Sequence, residues 1–310
     1  MEKIPVIAVV GATATGKSEL ALQLAKSLDG EIISGDSMQI YRGMDIGTAK
    51  ATSEERAAIP HHLIDIADIN EAFSVATFIE KATDAAKDIF KRNKTPVIAG
   101  GTGLYIDLLL SGRSLSEMEA QPDLRNKLYE KAKKEGNDVL HEYLKSVDPE
   151  SANAIHPNNV KRVVRALEMY LTSGLTKTKQ SEISKQSGSI FDYKIIYLNS
   201  SDRQLLYDRI NNRVDKMLES GLEDEVKRLY EIGLADTPTA SAAIGYKEFF
   251  PYFEQKIDLK TVAEDIKQHT RNYAKRQMTY FSRMENKTVF DISTEKSNFI
   301  FEKSEKICKI

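Results

Sequence analysis

Residues 11–18 read GATATGKS. The stretch fits the phosphate-binding loop G-x-x-x-x-G-K-[ST]. In such a loop Gly11 and Gly16 let the backbone curl, so that the amides of Ala12, Thr13, Ala14 and Thr15 surround an anion. Lys17 supplies a point charge, Ser18 offers a hydroxyl to Mg²⁺, and the following helix adds the positive end of its dipole. The flanks suit this reading. Pro5–Val10 is a short apolar run that reads as a buried strand. Ser18–Leu28 carries Leu20, Leu24 and Leu28 on one helical face.

The same alternation continues outward. Glu31–Ser34, His62–Ile66 and Pro96–Ala99 read as further strands, and Phe78–Phe90 as an amphipathic helix. Strands separated by helices imply an α/β fold, a parallel sheet covered on both faces. Ligands of such sheets bind outside the carboxyl ends of the strands. The loop, Asp36 and Gly100–Gly101–Thr102 each follow a strand directly, so they are expected on one edge. From about residue 114 the pattern changes. Glu117–Ser187 is Lys/Glu-rich, helical in period and without a convincing strand. We expect a P-loop core of residues 1–113 and 191–310, with an all-helical insertion at 114–190. The core resumes with a strand at Tyr193–Leu198, a helix containing RINNRVDKML (209–218) and a last strand at Val289–Ile292.

Composition narrows the class. The chain has 310 residues, 41% of them apolar, enough for a large core. No apolar run approaches the roughly 20 residues that span a bilayer. The N-terminal apolar run leads straight into the loop and reads as a strand, not a signal peptide. Cys308 is the single cysteine, which excludes internal disulfides and a cysteine-based zinc site. These features favour a cytoplasmic protein without membrane contact. The net charge is −2, yet two stretches are strongly basic. Residues 158–180 hold Lys161, Arg162, Arg165, Lys177 and Lys179 against Glu168. Residues 267–287 hold Lys267, Arg271, Lys275, Arg276, Arg283 and Lys287 against Glu285, with Tyr273, Tyr280 and Phe281 interleaved. Each suits an RNA surface or a solvated helix face.

Individual residues carry chemistry. Asp36, a carboxylate beside an anion-binding loop, is misplaced for gripping phosphate. It suits a general base or a partner for an exocyclic amine, and an Asx turn is the competing role. Thr102, in AGGTGLY (99–105), can reach a phosphate oxygen or cap the helix at Leu104–Leu110. Arg209 and Arg213 lie four apart on a helix and can cover phosphates, or pair with Asp208 and Asp215. His61 and His62 have no third ligand at suitable spacing, so polar packing is expected there. No clean apolar run ends in the carboxylate that would orient Mg²⁺ and water for triphosphate hydrolysis; HLIDI (62–66) comes nearest. The loop is therefore read as holding a diphosphate without hydrolysing it.

GATATGKS, GDSMQIYRGMDIGTAK (35–50), AGGTGLY, NNVKRVVRALE (158–168), AIGYKE (243–248) and TRNYAKRQMTYF (270–281) occur in this order. Together they resemble the bacterial tRNA isopentenyltransferase (tRNA dimethylallyltransferase) family, over nearly the whole chain. The resemblance implies transfer of a dimethylallyl group from dimethylallyl diphosphate to N6 of the adenosine 3′ of the anticodon, position 37, in tRNAs reading codons that begin with U. It implies a monomer with Mg²⁺ as cofactor and the tRNA anticodon stem-loop as partner. Residue by residue, Asp36 matches the proposed base, Thr102 a residue on the diphosphate side and Arg213 a diphosphate-binding arginine. Asp36, Ser37, Met38, Gln39, Thr102, Arg125, Lys161, Arg162, Val163, Val164, Arg165, Lys275, Arg276 and Gln277 match tRNA-contacting positions. Two departures stand out: Ser241–Ala242 replaces a usual Met-Gln, and Tyr280 a usual Trp. Prenylation of free adenine nucleotides, a small-molecule kinase and an RNA-binding ATPase module are the alternatives.

Overall fold

The computed structural model describes residues 3–113, 121–185 and 188–309. The elements run β1 (Ile4–Gly11), α1 (Lys17–Ser27), β2 (Gly30–Ser34), α2 (Ser53–Ala58), β3 (His61–His62), α3 (Val75–Lys91), β4 (Thr95–Gly100), α4 (Gly103–Ser111), α5 (Pro122–Glu135), α6 (Asn137–Val147), α7 (Pro149–Ala154), α8 (Val160–Ser173), α9 (Lys177–Lys185), β5 (Phe191–Asn199), α10 (Arg203–Glu219), α11 (Leu222–Glu231), α12 (Phe250–Phe253), α13 (Leu259–Ser282), β6 (Lys287–Asp291) and α14 (Ser297–Cys308). Contacts divide the chain into two compact units. One is Met1–Leu110 with Ile190–Ile310, the other Ser111–Ser189. The expected insertion boundary at residue 114, and residues 117–120 and 186–187 of the helical stretch, lie outside the described residues.

The larger unit holds a six-stranded sheet of order β3-β2-β4-β1-β5-β6, every pair parallel. β1 sits centrally between β4 and β5 and is buried along most of its length. Successive strand residues point to opposite faces, so an unbroken apolar run serves two cores at once. Val6, Ala8 and Val10 join one core with Ile33, Ile98, Ile195 and Tyr197. Ile7 and Val9 join the other with Ile32, Val97, Ile196 and Leu198. The first face is covered by α3, whose Phe78, Ala82, Ala86 and Ile89 recur at helical spacing after the Ser74 cap. The second is covered by α1 through Leu20, Ala21, Leu24 and Ala25.

The third strand is shorter than expected. Only His61–His62 pairs with β2. Leu63 and Asp65 take φ of 63° and 56°, left-handed values that a strand cannot carry. The break turns Asp65 towards Lys50 and Arg56, which it meets at 2.6 and 2.7 Å. The carboxylate of HLIDI is thus committed to an ion-pair cluster. The last strand runs Lys287–Asp291, starting two residues and ending one residue earlier than expected, with the register Ile195↔Lys287 to Asn199↔Asp291.

The smaller unit is helical. Leu128, Leu140, Leu144, Val163, Val164 and Leu167 form its core. Asp148 caps α7 by accepting from the Ser151 amide, and also accepts from the Thr178 hydroxyl at 2.7 Å, tying α7 to α9.

Candidate active site

The loops after β1, β2 and β4 open into a cavity of about 510 Å³ within the larger unit. Thr13, Lys17 and Ser18 line it from the phosphate loop. Asp36, Ser37, Met38 and Gln39 line it from the loop after β2, and Gly100 and Gly101 from the loop after β4. Arg213 enters from α10, and Tyr273, Arg276 and Gln277 from α13.

Gly16 precedes α1 at φ 88°, a left-handed value that lets the loop curl into the helix, while the Thr13 amide is taken by Gln277. Lys17 donates to the Ala12 carbonyl at 2.6 Å. Burial, then the nearby Arg213 charge, push its pKa down to about 7, opposed by Asp36. Burial also lowers the Arg213 pKa, again opposed by Asp36. Asp36 therefore lies within electrostatic reach of both cations. Its Oδ1 accepts from the Met38 amide at 2.9 Å, so the Asx turn is real and holds the carboxylate in place. The Thr102 hydroxyl accepts from the Ser37 amide at 3.1 Å, while the Thr102 carbonyl receives the Tyr105 and Ile106 amides that start α4. Burial and the Asp36 charge push the Tyr273 phenol up to about 12, against a downward pull from Thr102 and Gln277.

Part of the lining is apolar. Ile210, Val214 and Met217 of α10, Ile244, and Ile266 of α13 form it. The cavity thus combines two cations with hydrocarbon-compatible side chains, and of its carboxylates Asp36 is the one within electrostatic reach of those cations.

A family model described as IPP transferase matches residues 39–284. The chain belongs to the IPP transferase family. The tRNA dimethylallyltransferase of Exiguobacterium sp. is 51% identical over 281 residues, spanning 91% of this chain and 88% of that protein. The tRNA dimethylallyltransferase of Bacillus subtilis is 47% identical over 291 residues, spanning 94% and 92%. Among solved structures, the tRNA isopentenylpyrophosphate transferase of Bacillus halodurans superposes with a TM-score of 0.73 at 43% identity, covering 99% of this chain and 96% of that one. A eukaryotic dimethylallyltransferase acting on tRNA superposes with 0.81 at 32% identity, covering 98% and 79%. The P-loop-like α/β core is the fold of these IPP transferases, and this member is a prenyltransferase by family.

Several residues picked out in the sequence sit elsewhere than their spacing suggested. Arg213 reaches the cavity, whereas Arg209 is exposed and does not line it. Neither expected acid pairs with them: Asp208 takes the Gln204 amide and Asp215 takes Lys267. Val163 and Val164 are buried in the helical unit's core, so their side chains cannot meet a macromolecule. Arg125 and Arg165 are half-buried and share Glu168, at 2.8 and 2.6 Å. Glu168 is fully buried and also accepts from the Gln121 amide. The positive count over 158–180 is therefore partly cancelled, leaving Lys161 and Arg162 as its exposed cations on α8 without a described ion pair. On α13, Lys275 and Arg276 are exposed, over the rings of Tyr207 and Tyr273. Gln277 is only 5% exposed, with both ends of its amide bound to backbone. Gln39 accepts from Ser34 and donates to the Thr48 and Ala49 carbonyls, pinning the turn that forms another edge of the cavity.

His62 bonds Glu31 and His61 bonds the Ile59 carbonyl, both in polar packing. Tyr280 donates to Asp107 while its ring covers Gly103, where an added Cβ would meet it at 2.5 Å. Sequence reasoning did not single out Glu225. Glu225 is buried and gathers the amides of Asp45, Ile46 and Gly47 together with the Tyr246 hydroxyl. Only its distance in sequence from residues 45–47 hid it.

For Mg²⁺ the donor set fits a lean site. Ser18 is exposed, lines the cavity and has no described partner for its hydroxyl. Among the described residues no group of three His, Cys, Asp or Glu side chains forms a cage. Mg²⁺ suits such a place, because it keeps several waters and takes one or two protein ligands plus substrate phosphates.

Proposed function

We propose that the chain is a tRNA dimethylallyltransferase, acting as a cytoplasmic monomer on adenosine 37 of tRNAs that read codons beginning with U. The observation that carries this reading is Asp36 in one cavity with Lys17, Arg213 and apolar lining. A diphosphate matches the two cations, and a five-carbon chain matches the apolar lining. The acceptor nitrogen then belongs at the carboxylate.

The reaction follows from these groups. The adenine amine is a weak nucleophile because its lone pair is delocalised into the ring. Asp36 takes its proton as the N6–C1 bond forms. The C1–O bond breaks and the electron pair leaves on diphosphate. Lys17, Arg213 and the loop amides stabilise that developing charge. Ser18 would hold Mg²⁺, which supplies further charge neutralisation on the phosphate oxygens. The allylic carbon tolerates positive charge, so an anionic Asp36 also favours early bond breaking. Thr102 steadies the Asp36 loop through Ser37.

The helical unit, residues 114–190, is assigned to grip the anticodon stem-loop through Lys161 and Arg162, with Arg125 and Arg165 oriented by Glu168. Lys275 and Arg276 add phosphate contacts from α13, and Ser37 and Met38 border the acceptor. Extruding the base from its stack costs a few kcal/mol, which such contacts offset.

Labelled dimethylallyl diphosphate offered with tRNA, with AMP and alone tests the reading, with ATP in parallel. Label in tRNA only is expected. Label in AMP, or phosphate released from ATP, would replace it with nucleotide prenylation or kinase-type chemistry.

A further inference from the structure

Gln277 sits on α13 and lines the cavity, and its amide bonds two loops of the protein itself. Its Oε1 accepts from the Thr13 amide at 2.8 Å. Its Nε2 donates to the Gly101 carbonyl at 2.9 Å. The side chain is 5% exposed, so neither bond is exchanged with bulk water. The approach is tight enough that a Cβ on Gly101 would lie 2.2 Å from Nε2. Thr13 belongs to the phosphate loop. Gly101 precedes Thr102, whose hydroxyl holds the Ser37 amide next to Asp36.

We propose that Gln277 is a positioning residue, a strut that fixes the diphosphate-binding loop against the Gly101–Thr102 loop and so sets the separation of leaving group and general base. Its two amide ends bond backbone, its one side-chain neighbour in these contacts is the Tyr273 phenol, and it takes no part in the chemistry. Three loops meet at this edge of the sheet; the Thr102 amide ties the loop after β4 to the Gly35 carbonyl after β2, and Gln277 ties it to the phosphate loop. A buried amide with one donor and one acceptor satisfied holds two of them in a single register. Displacements near 1 Å between reacting groups slow transfer about a hundredfold without a matching loss of binding.

The proposal rests on the transferase reading above, and its test keeps the two apart. Gln277→Met keeps volume and removes both polar ends. Gly101→Ala drives Nε2 off its carbonyl from the other side. Single-turnover transfer, dissociation constants for dimethylallyl diphosphate and tRNA, and hydrogen exchange at the Thr13 amide are measured on wild type, both variants and the double variant. Each single variant is expected to lose about tenfold to hundredfold in rate, with both dissociation constants within about threefold. The double variant is expected to fall no further than the slower single one, because one strut is broken twice. Thr13 exchange is expected to speed in Gln277→Met. Unchanged rates in Gln277→Met, multiplying losses in the double variant, or unchanged Thr13 exchange each overturn the strut. A wild type that prenylates no tRNA overturns the function instead, while Thr13 exchange still decides the strut.

Discussion

Lys17 donates to the carbonyl of Ala12 at 2.6 Å, so the loop's own cation is folded back onto the loop. Its pKa stands at about 7, lowered mainly by burial and next by Arg213. A bound diphosphate would favour the charged form and raise that pKa. The complex then binds a proton that the free protein lacks above pH 7. Affinity for dimethylallyl diphosphate is expected to be full below pH 7 and to fall about tenfold per unit above it, up to the pKa in the complex. Calorimetry at pH 8 in buffers of differing ionisation heat should show proton uptake. An affinity flat from pH 7 to 9 with no uptake would contradict it.

Asp36 has a structural bond as well as a chemical role, and two substitutions separate them. Asp36→Asn retains an oxygen for the Met38 amide, whereas Asp36→Ala loses it. Both variants are expected to lose about 10²- to 10⁴-fold in single-turnover transfer, the range of a general base. tRNA affinity should stay within a few-fold of wild type in Asp36→Asn. Near-normal transfer by Asp36→Asn would remove the carboxylate from the mechanism.

Glu168 divides the basic residues of α8 and α5 into two classes. Lys161→Ala and Arg162→Ala are each expected to reduce the slope of log affinity for tRNA against log salt by about 1. Arg125→Ala and Arg165→Ala should change that slope less, because Glu168 already neutralises part of their charge. They should instead lower thermal stability, having left a buried carboxylate short of a partner. Equal slopes for all four variants would erase the distinction.

Glu225 holds the turn at residues 45–47 from α11. Glu225→Ala strips the acceptor from those amides and from Tyr246. The loss of stability is expected to be about 1–3 kcal/mol, the cost of leaving the buried Tyr246 hydroxyl unmet, because the half-buried or exposed amides of 45–47 can turn to water. Urea unfolding should show a lower midpoint with an unchanged slope. A loss below 1 kcal/mol would mean that water replaces the carboxylate.

The local patterns carried much of this protein. GATATGKS between an apolar strand and an amphipathic helix determined the parallel α/β core, because loop geometry and strand burial are short-range consequences of residue type. Asp36, Thr102 and the phosphate loop were legible for the same reason: each follows its strand immediately, and parallel strands bring their carboxyl ends to one edge. The third strand was misjudged past His62, where an apolar run conceals two left-handed residues. Local patterns were silent wherever partners lie far apart in the chain. Arg209 and Arg213 look equivalent in sequence, and only the packing of α10 turns one towards the cavity. Val163 and Val164 lie amid basic residues and are core. Gln277 reads as a polar residue on a basic helix, and only the approach of Gly101 and Thr13 makes it a buried brace. Sequence determined which groups stand at the strand ends; the tertiary structure decided which face water, because burial depends on what other elements cover.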